Sequence, residues 1–156
     1  MQQHSPSCIA QSRVDTLLAD EVKFNLSLRG LCDVFPTPYS QPTLSLGEAE
    51  KWGISDEYGV YLLWTKASAC PVHGQSCMRC IYVGKGYGRW RIVKHWRQKD
   101  LSPYFPLYFS FRPLMNRQAK YVEQLLLDEH DFDLNKFEKK KGQPPLFFCR
   151  DVANDA

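Results

Sequence analysis

The spacing of apolar positions along the chain changes several times, and each change predicts an element. Gly59-Val-Tyr-Leu-Leu-Trp-Thr65 is a run of branched and aromatic residues that predicts a β-strand, and Cys80-Ile-Tyr-Val-Gly84 predicts a second. They are expected to pair as a hairpin whose long connection is Lys66 to Arg79. Lys85-Gly-Tyr-Gly88 reads as a turn leading into a helix from about Arg89 to Lys99. Pro103 and Pro106 interrupt the chain before Leu107-Tyr-Phe-Ser-Phe-Arg112, a third strand, and Asn116 is placed to cap a helix reaching about His130. Upstream, Ser45-Leu-Gly-Glu48 has the form of a capping box opening a short helix that Gly53 ends. Val14, Leu17, Leu18 and Val22 fall near helical spacing whereas Phe24, Leu26 and Leu28 alternate, so that boundary stays open. Pro36 to Pro42 is a loop.

The order β, β, α, β, α implies an α+β fold, a small central antiparallel three-stranded sheet flanked by helices. It spans residues 58–136, after an N-terminal extension over 1–57 and before a basic C-terminal tail over 137–156 in which Pro144-Pro145 forbids helix. With 156 residues, 44% of them hydrophobic, the chain suits one core rather than two.

Charge sharpens this picture. The net +3 conceals four Lys/Arg against eight Asp/Glu in residues 1–57, and sixteen against nine in residues 58–156. Lys85, Arg89, Arg91, Lys94, Arg97 and Lys99 follow one another with no acid between them, interleaved with Tyr87, Trp90 and Trp96. Clustered cations gain affinity for a polyanion by releasing its counterions, which makes nucleic acid the expected partner, with Arg89, Lys94, Arg97 and Lys99 as contacts. A solvated basic helix face is the plainer alternative. No run of about 18 apolar residues predicts a membrane span, and Met1 to Arg13 lacks the apolar centre of a secretory signal. An intracellular protein, cytoplasmic or nuclear, is expected.

Gly59-Val60-Tyr61 followed by Tyr82-Val83-Gly84, with 21 positions from Tyr61 to Tyr82, resembles the paired motif of the GIY-YIG nuclease superfamily. The order continues: Arg91 with His95 four residues on, then Glu123 in Val122-Glu123-Gln-Leu-Leu-Leu, then Asn135 after Leu134. The resemblance covers residues 58–136. It implies a metal-dependent endonuclease acting on DNA, or alternatively RNA, with Tyr61, Tyr82, Arg91, His95, Glu123 and Asn135 in its catalytic site and Mg²⁺ or Mn²⁺ on Glu123; Lys85 joins that site on the chemical argument below.

These residue types also suit that chemistry on their own. Tyr61 and Tyr82 on adjacent antiparallel strands are expected on one face of the sheet. A phenol, with a reference pKa near 10, acts as a base at neutrality only if cations such as Lys85 and Arg91 favour its phenolate. Which tyrosine is the base stays open, with Tyr61 preferred. Arg91 and His95 lie one helical turn apart, so a guanidinium able to grip two phosphate oxygens shares a face with an imidazole. Arg89 is the rival for that role. Glu123 beside leucines supplies the partly shielded oxygen ligand that a mostly hydrated Mg²⁺ accepts.

Cys70, His73, Cys77 and Cys80 stand in C-x2-H-x3-C-x2-C spacing, two short ligand pairs that suit a structural Zn²⁺. Free thiols, or a Cys70–Cys77 disulfide in an exported protein, are the alternatives. The functional alternative to a nuclease is a catalytically inactive, zinc-organised nucleic-acid-binding module.

Overall fold

Two strands organise the molecule. In a computed structural model describing residues 31, 38–67, 77–135 and 143–149, β1 (Tyr58–Lys66) pairs antiparallel with β2 (Cys77–Tyr87), setting Tyr61 opposite Gly84 and Leu63 opposite Tyr82. β3 (Leu107–Pro113) flanks β1, and β4 (Phe147–Cys149) flanks the start of β2, giving the order β3-β1-β2-β4. The described helices are α1 (Leu46–Lys51), α2 (Gly88–Gln98) and α3 (Asn116–Glu129).

The register slips between Leu63 and Trp64, leaving Ile81 as the extra residue of a bulge. The slip resets which side chains of β2 face which way. Met78, Cys80 and Val83 join Val60, Leu62 and Trp64 in the core beneath α3, while Ile81 and Tyr82 join Tyr61 and Leu63 in the core beneath α2. Both cores are apolar enough to hold the sheet between two layers of helix, since each large side chain removed from water contributes about 1.5–3 kcal/mol.

α1 forms as its sequence predicts. Ser45 Oγ accepts from Glu48 N and Glu48 Oε1 accepts from Ser45 N, a complete capping box, and Gly53 ends the turn at φ 93°. Leu44, Ala49, Trp52 and Ile54 all enter the α2-side core, and Tyr39 exchanges backbone hydrogen bonds with Leu107, so residues 38–57 are built into the sheet layer.

Several boundaries differ from those expected. The sheet has four strands rather than three, because Leu146 and Phe148 in the lysine-rich tail bury themselves in the α3-side core and bring Phe147–Cys149 against Cys77–Arg79. Lys85 to Tyr87 is not a turn but the end of β2, held extended by pairing with Tyr58 to Val60, and the helix begins at once with Gly88. The hairpin connection is correspondingly shorter than Lys66 to Arg79. Asn116 is the first residue of α3 rather than its cap. Its Oδ1 accepts from Tyr58 Oη at 2.6 Å, tying the helix start to β1. The stretch from Val14 to Leu28 lies outside the described residues.

Candidate active site

Tyr61 and Tyr82 do share a face of the sheet, with rings stacked 5.9 Å apart. Both are buried, Tyr61 completely. Tyr61 has room only because its cross-strand partner is Gly84: a Cβ there would stand 2.4 Å from the phenol oxygen. α2 lies across this face and presents His95, whose Nε2 is 2.9 Å from Tyr61 Oη and whose ring sits 4.5 Å from that of Tyr82. Tyr82, Tyr61 and His95 thus bring three groups with exchangeable protons together, Tyr61 hydrogen-bonded to His95 and Tyr82 packed against both rings.

Arg91, one turn before His95, is near enough for its charge to act on both phenols. Gly86, at φ 134°, lets it come that close, since a Cβ at this position would lie 3.0 Å from Arg91 Cγ. Arg91 also lines a pocket of about 480 Å³ at the open end of the hairpin, together with Lys85, Glu123, Tyr58, Tyr87 and Trp90. Glu123 comes from α3, on the other side of the sheet, and reaches this pocket around the hairpin's end. The pocket thus gathers one carboxylate and two cations from three elements. Arg91 links it to the phenols.

The electrostatics follow from burial first. Burial pushes Tyr61 far above the ordinary phenol range, further than Arg91 pulls it down, and Tyr82 is also raised, mainly by burial and in part by Glu123. Neither is a phenolate at neutrality in the free protein, so the cations do not outweigh the desolvation here. Burial would lower Arg91, but its proximity to Tyr61, Tyr82 and Glu123 leaves it raised and firmly charged. His95 is pulled down to about 4 by burial and by the cations Lys99, Arg91 and Lys94, so its imidazole is neutral at pH 7. Its Nδ1 and Arg91 Nε are buried without a hydrogen-bond partner.

Other expected site residues are placed differently. Asn135 lies at the outer edge of β2, where its Oδ1 accepts from Val83 N and its Nδ2 donates to Val83 O, at 3.0 and 2.9 Å. The side-chain amide there takes the place of a strand neighbour beyond the reach of β4, holding straight the segment that carries Tyr82 and Gly84. Arg89 turns away from the pocket to Ile54 O at 3.2 Å and Asp56 at 4.0 Å, leaving Arg91 as the guanidinium at the site. Lys94 and Arg97 are exposed along α2. Lys99 donates to Leu134 O at 3.3 Å and lies over the Tyr82 ring at 5.3 Å.

Cys70 and His73 lie outside the described residues. Cys77 and Cys80 are three apart in a regular stretch of β2, so alternation sends them to opposite faces. Cys80 is wholly buried in the α3-side core, its thiol donating to Tyr82 O at 3.3 Å and kept protonated by burial. Among the described residues no three His, Cys, Asp or Glu side chains cluster as a metal site.

Sequence reasoning missed the parts of Gly84 and Gly86, which act by having no side chain, and of Tyr58. Tyr87 and Trp90 carried a signal, their interleaving with cations, without an assigned place. No described helix is long and apolar enough to cross a membrane. No protein-family model matches the chain, and neither any curated protein nor any solved structure is significantly similar to it.

Proposed function

We propose that the chain is a metal-dependent endonuclease of the GIY-YIG kind that hydrolyses phosphodiester bonds in DNA. The observation that carries this reading is the double position of Arg91, which lines one pocket with Glu123 and Lys85 while its charge acts on both phenols. Fold or binding alone does not call for a guanidinium that acts on paired buried phenols and shares its pocket with a carboxylate.

A phosphodiester entering the pocket meets Arg91 and Lys85, which neutralise its charge and, for Arg91, offset the further charge that builds on the equatorial oxygens during in-line attack. Water attacks phosphorus as the bond to a sugar oxygen breaks, and that oxygen leaves as an alkoxide that takes its proton from solvent water. The water's proton passes to the phenol pair. Tyr82, the phenol that reaches the surface at 8% exposure, takes the outer position. Tyr61, wholly buried, hands a proton on to neutral His95 Nε2. This assigns the outer position to Tyr82, where the sequence alone favoured Tyr61. Burial first, and then the positive field of Lys99, Arg91 and Lys94, hold His95 neutral in the free protein, and a bound phosphate offsets that field, improving His95 as an acceptor.

Glu123 is the sole carboxylate lining the pocket. One carboxylate fits Mg²⁺ or Mn²⁺, ions that keep most of their water and share the substrate's phosphate. When bound there, such an ion supplies Lewis-acid polarisation of the phosphate.

The test is supercoiled plasmid incubated with purified protein and Mg²⁺, beside Glu123→Gln and Arg91→Ala. The parent is expected to nick or linearise, with the variants slower by about 10²–10³-fold or more, the range seen when one transition-state donor is removed. Equal cutting by all three points to a contaminant and refutes the site. DNA retention by a parent that does not cut supports the inactive binding module instead.

A further inference from the structure

Two of the three large hydrophobic side chains exposed among the described residues, Tyr87 at 58% and Trp90 at 66%, line the same pocket as Arg91 and Glu123. Single exposed aromatics are ordinary, but a pair at the mouth of a cationic pocket is a platform. Tyr87 is braced from behind by Tyr58, whose ring meets its own edge-on at 5.3 Å, while Tyr58 is itself fixed by Asn116. Trp90 opens a stripe on α2, since Lys94 and Arg97 follow it at helical spacings of four and seven and both are exposed. Flat apolar rings, a guanidinium beside them and a line of cations leading away match an unstacked base, its own phosphate and the phosphates of the strand beyond.

We infer that Tyr87 and Trp90 hold a base taken out of its stack, making single-stranded or locally unpaired nucleic acid, rather than intact duplex, the substrate class of this pocket. The bases of an intact duplex are already stacked on one another, and reach exposed rings only at an unpairing cost of a few kcal/mol. The inference rests on the reading that the pocket takes a polynucleotide, and it goes further by naming the strand's state.

Trp90 is the only exposed residue among the chain's four tryptophans, so its fluorescence reports the platform directly. The probes are a thymidine strand of about 15 nucleotides, near the upper end of groove site sizes, an abasic strand with the same number of phosphates, and the matching blunt duplex, all with the full chain in metal-free buffer. Thymidine is expected to quench Trp90 and to bind about tenfold more tightly than the abasic strand and than the duplex, in the range of one base–aromatic stack. Trp90→Ala, at an exposed position, is expected to keep the parent's thermal midpoint and abasic affinity while losing about tenfold on thymidine. Trp90→Phe is expected to recover most of that loss. Equal affinity for thymidine and abasic strands, or tighter binding of the duplex, overturns the inference and leaves the nuclease reading standing. Failure to bind any of the three overturns both.

Discussion

The two faces of the β1–β2 hairpin are made from alternate residues of the same strands and are buried to the same depth, yet they contain different chemistry. Beneath α3, Val60, Leu62, Met78, Cys80 and Val83 meet Ala119, Val122 and Leu126, and the indole of Trp64 satisfies itself on Ser110 Oγ at 2.9 Å. Beneath α2, two phenols and an imidazole are interposed in an otherwise aromatic core of Trp52, Trp96 and Phe109, with two polar nitrogens left unsatisfied. An unpaired buried polar group costs about 1–3 kcal/mol; on the α3 side one stands at the helix end, at His130 Nε2, whereas beneath α2 they stand beside the phenols. The comparison teaches that one face is filled almost wholly by apolar side chains, whereas the other holds the polar groups that the proposed site needs.

Neighbouring residues allow the contrast to be broken one face at a time. Leu62→Ala empties the α3-side core at a fully buried position. Urea unfolding is expected to show a loss of about 2–5 kcal/mol. The cleavage rate per folded molecule should stay within about twofold of the parent. A large loss of rate without loss of stability would mean that this face also serves the site.

The second contrast is in pH. His95 has a folded pKa near 4 against 6.5 for the ordinary side chain, so the unfolded chain binds the extra proton between those values. The stability held by neutral His95 is therefore complete above about pH 6.5 and is lost as pH falls toward 4. At 1.36 kcal/mol per pKa unit this amounts to roughly 3 kcal/mol. His95→Gln is expected to flatten the acid side of the stability–pH curve by about that amount. His130, also lowered by burial, contributes in the same direction, so the comparison with the variant isolates His95. Parallel curves for parent and variant would show that His95 titrates alike in the folded and unfolded protein, against the depressed pKa.

A smaller effect on stability is expected at Gly84. An alanine Cβ would press on Tyr61 at 2.4 Å from its hydroxyl, and the ring would have to move. Gly84→Ala is expected to lower stability by about 1–3 kcal/mol. It should also separate Tyr61 from His95, visible as a rise in the His95 pKa followed by NMR. An unmoved His95 titration would mean that Gly84 does not hold the relay in place.

Much of this was legible in residue order. The capping box of Ser45 and Glu48, the pairing of the two tyrosine strands, α2 as the carrier of Arg91 and His95, and the half-shielded state of Glu123 all follow from local propensity and periodicity. Other features depend on contacts distant in sequence. β4 exists because Phe148 and Leu146 find the α3-side core, Lys85 to Tyr87 are extended because β1 pairs with them, and the Ile81 bulge separates Cys80 from the face of Tyr82. Asn135 was expected in the site, and its amide is hydrogen-bonded to the Val83 backbone, a contact that no spacing rule conveys. The electrostatic balance was legible in part. Cations near the phenols could be counted in the sequence, but the burial that outweighs them could not.

The central claim is that the polar face beneath α2 performs chemistry, and Tyr61→Phe tests it most directly. The substitution removes one oxygen from a buried ring whose shape is otherwise retained, and with it the hydrogen bond to His95. Plasmid cleavage in Mg²⁺ is to be measured beside urea unfolding of the same preparation. The account predicts a stability change of about 1 kcal/mol and a fall in cleavage of about 10²-fold or more. Cleavage at the parent's rate by a folded Tyr61→Phe protein would contradict it.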